Sequence, residues 1–241
     1  MDNQMSQSNP GGMPTKVVAY IAAVAVAGLA AVAYGVTHLG GINVVALEVF
    51  CVAAAMSEVG RRTSGASHVT ISLSVAVILA AIVALGPGAA ILVAASAALA
   101  QGLFPRIRPL HRTLFNIGLY TVGALASGLA FQAIAGRSGQ EALTVMLIPA
   151  AIVATAANFA VNWPVLAGVI HLSTGRSLRL VWKEDISWTP APILLTVVLG
   201  SALGANFVQF GWMGAAIVLV PLAVLQVSVN AITRRYDEEP A

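Results

Sequence analysis

The stretch "NFAVNWP" (158–164) lies in a long apolar run and holds two asparagines four residues apart, with a tryptophan and a proline behind them. The run extends from 142 to 172. A membrane-spanning helix needs about 20 apolar residues, range ~17–25. The run is too long for one minimal crossing, and whether it crosses once or twice fixes the orientation of everything after it. Hydrocarbon offers an amide no hydrogen bond, so Asn158 and Asn162 must face something other than lipid.

Composition sets the class. The 241 residues are 59% hydrophobic and 9% charged, with a mean hydropathy of +0.89. Ordinary soluble domains carry about 25% charged residues, so a chain this apolar reads as a multi-pass membrane protein. The net charge of +3 does not mark a nucleic-acid binder, because the basic residues sit in small groups between apolar runs. The single cysteine, Cys51, falls within an apolar run and reads as a core residue. Residues 1–15, rich in Gly, Pro and Ser, read as a disordered cytoplasmic segment. The apolar run after Lys16 exceeds the 7–15 residues of a signal-peptide core, so it reads as a retained first helix despite the Ala31-Val32-Ala33 triplet.

Eight apolar segments follow: 17–37, 42–58, 69–85, 88–104, 113–135, 142–172, 189–207 and 211–232. With a cytoplasmic amino terminus and eight crossings, Lys16, Arg61, Arg62, Arg106, Arg108, Arg112, Arg176, Arg179, Lys183, Arg234 and Arg235 lie inside and only Arg137 outside. That satisfies the positive-inside rule. Two crossings by 142–172 would export Arg234 and Arg235, so the run crosses once. The expected architecture is an all-α, polytopic transmembrane bundle over 16–233, with both termini cytoplasmic and a short tail at 234–241. Segments three and four, split only by "GPG" (86–88), read as a short helical hairpin. The start of segment three, "HVTISLSV" (68–75), alternates polar and apolar. It reads either as an extended stretch buried against helices or as a helix whose hydroxyls bond back to its own carbonyls. In "RSLRLVWKEDISW" (176–188), Leu178, Val181 and Trp182 at helical spacing predict an amphipathic helix on the cytoplasmic interface.

Polar residues within the spans are the candidate site. An acidic side chain at a helix centre costs about 2.5–3.5 kcal/mol on insertion scales and marks a functional-site hypothesis. Glu48 is the one ionisable group well inside a span, about 15 Å from the cytoplasmic end of its helix. Asn116, Tyr120, Gly123 and Ser127 form a stripe on segment five, Thr155, Asn158 and Asn162 one on segment six, and Gln226 and Asn230 lie four apart on segment eight. The expectation is a ligand-binding cavity bounded by segments two, five and six and lined by Glu48, Asn116, Tyr120, Asn158, Asn162 and Trp163. The competing reading of the amides is helix-to-helix glue. Pro164 is expected to kink segment six and free the Ala160 carbonyl.

Enzyme chemistry finds no support. The chain has no H-E-x-x-H, G-x-S-x-G or phosphate-binding glycine loop. His68, His111 and His171 fall at cytoplasmic segment ends without metal-ligand spacing, and no lysine lies in a span. No catalytic residue, metal or cofactor is expected.

The phrases "AAMSEVGRRTSGASHVTISLSVAVILAAIVALGPGAA", "RTLFNIGLYTVGALASGLAFQAIAG" and "NFAVNWPVLAGVIHLSTGRSLRLVWKEDISW", closing on "LVPLAVLQVSV", run in order over about 45–232. This resembles the multi-pass membrane region that precedes GGDEF or HD-GYP domains in bacterial signalling proteins. The resemblance implies a sensor in the inner (plasma) membrane, with Glu58, Gly86-Pro87, Phe115-Asn116 and Asn162 in architectural roles. It departs at "NAITRRYDEEPA", where the output enzyme is expected, so no cyclic-dinucleotide chemistry is expected of this chain. Three functions compete: a sensory or ligand-binding module reporting to a protein partner, an accessory subunit of a membrane assembly, and the substrate-binding subunit of a small-molecule transporter. The last requires a polar cavity open to the outside.

Overall fold

The computed structural model describes residues 13–59, 73–104, 106–136, 138–183 and 190–238, with backbone alone at 190–193 and 221–238. Every regular element among them is helical: α1 (Thr15–Thr37), α2 (Val44–Val59), α3 (Leu73–Leu85), α4 (Pro87–Leu103), α5 (Leu110–Ala135), a 3-10 turn (Gly139–Ala142), α6 (Leu147–Thr174), α7 (Leu178–Val181) and α8 (Pro190–Glu238). Four stretches are long and apolar enough to cross a membrane by length and composition: Thr15–Thr37, Leu110–Ala135, Leu147–Thr174 and Leu194–Val220. Leu73–Leu85 and Pro87–Leu103 are shorter apolar helices. The chain is a helical membrane protein.

The helices alternate in direction. At one end Gly88 packs on the carbonyls of Gly35 and His38, Pro87 on Gly128, and Gly86 faces Ser138. At the other, the Tyr20 hydroxyl donates to the Val165 carbonyl at 3.1 Å and Thr113 fills the space over Gly102. All lysines and arginines with described side chains, from Lys16 to Lys183, lie at this second, basic end. Glycine permits the close crossings: a Cβ on Gly118 would sit 2.8 Å from the Val24 carbonyl carbon.

The short α3–α4 hairpin is the centre of the bundle. From Ala76 to Val83, α3 is buried on every side, packed against α2, α4 and α8. A helix apolar all round belongs inside a bundle, and α3 is buried there over most of its length. The hairpin reverses at Gly86, whose φ of +91 suits a residue without Cβ, and Pro87 opens α4 in its first turn.

Segments seven and eight are the two limbs of α8, broken at Gly211 (φ 59, ψ -138). A Cβ on Gly214 would strike the Asn206 carbonyl, although eight residues of straight helix span about 12 Å. The chain therefore folds back at Gly211, and the Phe207 and Trp212 rings meet at 4.9 Å across the turn.

The run 142–172 is one helix, α6, which starts five residues late because a 3-10 turn takes up Gly139–Ala142. At the start of segment three, residues 68–72 lie outside the described residues. From Leu73 the chain is helical, and the Ser74 hydroxyl donates to Glu58. Of the amphipathic segment at 176–188, one turn of α7 is described, with the Ser177 hydroxyl accepting from the Leu180 N–H at 3.3 Å. Val181 is buried against Ala167, while Leu178 and Trp182 stay exposed.

Candidate functional site

The intramembrane polar residues fall into separate groups. On α2, every fourth residue (Ala46, Phe50, Ala54 and Glu58) is buried. At about 100° per residue, Glu48 lies roughly 200° from that stripe, and its side chain is exposed. The structure does not bring Glu48 together with the asparagines: the α2 face that carries it points away from the buried stripe by which α2 packs on α3 and α4. Glu58 occupies the interior instead, only 4% exposed. It accepts hydrogen bonds from the Ser74 hydroxyl and, at 3.4 Å, from the Tyr120 hydroxyl. One carboxyl group thus ties α2 to α3 and α5 near the basic end.

Asn116 Nδ2 donates to Gln101 Oε1 at 2.7 Å, joining α5 to α4. Asn162 Nδ2 donates to Asn158 Oδ1 at 2.5 Å within α6. The Asn162 amide covers Gly123 of α5, where a Cβ would stand 2.7 Å from its Nδ2 and Oδ1. The two asparagines therefore face the α5 interface, and one buried acceptor, Asn162 Oδ1, has no partner. Trp163 is half-buried, with ring centroids 5.0 Å from Phe159 and 5.7 Å from Trp182, so it carries α7 on α6. The Asn116–Gln101 bond joins two helices, as helix glue does, whereas the Asn158–Asn162 bond is internal to α6.

Gln226 and Asn230 fall where side chains are not described, and His68 lies outside the described residues. The His171 Nδ1 pairs with the Arg176 carbonyl at 2.7 Å. Among the described residues no group of three or more His, Cys, Asp and Glu is placed to hold a metal ion.

A different feature stands at the end opposite the basic residues. Above the α3–α4 tip opens a cavity of about 440 Å³, lined in part by Tyr34, His38, Pro87, Gln132, Ser138 and Glu141. None of the six residues singled out from the sequence lines it. The Tyr34 and His38 rings stack at 3.9 Å with 20° between their planes. His38 Nδ1 lies 2.8 Å from the Tyr34 carbonyl. A carbonyl only accepts, so the proton sits on Nδ1 and leaves Nε2 as the ring's second polar atom. The Ser138 hydroxyl is buried without a partner, and α4 starts at the cavity wall with no side-chain cap. Since α5 runs seven residues past Gly128, its contact with Pro87, the cavity floor is recessed by about 10 Å below the α5 end.

Sequence reasoning passed over this cavity because its polar residues lie in loops and helix ends. The "GPG" tip was the available signal: a buried hairpin shorter than its neighbours leaves a recess above it.

No family model, no curated protein and no solved structure matches this chain. The resemblance to signalling-protein membrane regions rests on the quoted phrases alone.

Proposed function

We propose that this chain is a non-enzymatic integral membrane module that binds a small molecule in the recess above the α3–α4 tip and reports occupancy to a protein partner. The observation that carries this reading is the cavity itself: about 440 Å³, with an unpartnered buried hydroxyl at Ser138 and the free start of α4. Ligand sites are concave and apolar-walled with a few convergent polar groups. The orientation comes from the positive-inside rule: eight crossings, both termini cytoplasmic, the basic end facing the cytoplasm of the inner membrane and the cavity facing out. A sensory role accords with the sequence resemblance. The glue-like amides and Glu58 serve as helix joints that transmit a change at the tip along α5.

A second reading, a substrate-binding subunit of a small-molecule transporter, is favoured by the same cavity, since uptake requires a polar site open to the outside. Thermal-shift screening of the purified protein against a library of polar metabolites tests the shared claim. Hits are expected for wild type and lost in Gln132→Leu. Hits that survive Gln132→Leu unchanged contradict the site, and a transported hit in reconstituted vesicles selects the transporter reading.

A further inference from the structure

The outward face of α2 does not match lipid. Val45, Val49, Val52, Met56 and Val59 are all exposed, in steps of four, three, four and three residues. That is the spacing of a seam that receives another helix. Beside this seam sits the exposed carboxyl group of Glu48. Exposed valines continue on the outer side of it at Val44 and Val45 and on the inner side at Val49 and Val52. The group is therefore set within an apolar band rather than at its edge. Acyl chains cannot donate to a carboxylate, and intramembrane acidic groups pair with other groups rather than face lipid.

We propose that this face of α2 docks a transmembrane helix of a different protein, carrying a lysine or arginine level with Glu48. Charge complementarity selects that occupant over a second copy of the chain. A two-fold pairing through α2 is self-complementary and sets Glu48 beside its own counterpart, like charge against like. A second copy also has no cation to offer from elsewhere. No lysine or arginine occurs at 17–60, 63–105, 113–136, 138–175 or 184–233, so every span lacks one. Among the described residues α2 packs on α3 and α4 and meets α8 through the Phe50 and Phe207 rings, and none of these contacts covers the five exposed seam residues.

The test uses the full chain in its own membranes, with a photo-crosslinking phenylalanine analogue at Val52 on the seam and, as a control, at Ile152 on the exposed face of α6. The expected product from position 52 is a crosslink to another protein, on a helix with a lysine or arginine within about one turn of the crosslink. Glu48→Leu and Glu48→Gln should each lower its yield at least tenfold and leave the position-152 pattern unchanged. Adducts with lipid only, adducts with a second copy, a partner helix without a basic residue, or a yield indifferent to both Glu48 variants would overturn the proposal.

Discussion

The Tyr120 hydroxyl reaches the buried carboxyl group of Glu58 at 3.4 Å and so joins α5 to α2 across 62 residues of chain. Ser74 of α3 makes a shorter contact with the same oxygen. The two donors should be unequal. A long hydrogen bond contributes little, so Tyr120→Phe should cost about 0.5–1 kcal/mol. Ser74→Ala removes the closer donor from a buried carboxyl group and should cost about 1–3 kcal/mol. Unfolding of both variants in a mixed detergent titration gives the ranking; Tyr120→Phe costing more than Ser74→Ala would contradict it.

Gly123 of α5 packs directly beneath the Asn162 amide of α6. A methyl group at 123 would stand 2.7 Å from the Asn162 amide, which is itself held by Asn158. Gly123→Ala should destabilise by about 1–3 kcal/mol through overpacking. Shortening the opposing side chain should relieve it, so Gly123→Ala with Asn162→Ala should recover part of the loss. A double-mutant cycle reads this directly, and strict additivity would show that the two residues do not meet.

Gly211 turns α8 back on itself at φ 59, ψ -138, where a Cβ is strained. Gly211→Ala should cost about 1–3 kcal/mol, while Gly40→Ala, at a loop glycine whose Cβ would meet nothing, should be close to neutral. Thermal unfolding of the pair checks the contrast.

How far the sequence alone reached follows from which signals are periodic. Hydropathy located the eight apolar segments as helices, including the two limbs meeting at Gly211, because long apolar runs stand out from the polar stretches between them. The "GPG" hairpin and the stripe on α5 were legible for the same reason. Azimuth was harder. Glu48 and Glu58 both lie on α2, and a helix apolar on all faces gives no moment by which to tell inside from outside; only the four-residue spacing of Ala46, Phe50, Ala54 and Glu58 hinted that Glu58 turns inward. Ser74 was read as self-bonded or extended because its partner lies sixteen residues away. The cavity was illegible, since Tyr34, Gln132 and Ser138 share no motif and converge only through the register of α1 and α5 and the loop after α5.

The claim that matters most is that the recess above the α3–α4 tip holds a small molecule. Native mass spectrometry of the protein, extracted gently from its own membranes, tests it most directly. The expected result is a reproducible small-molecule mass on the wild-type chain, absent from Ser138→Trp, which fills the recess, and from Gln132→Leu. A wild-type chain that flies bare, or an adduct retained by both variants, would contradict the account.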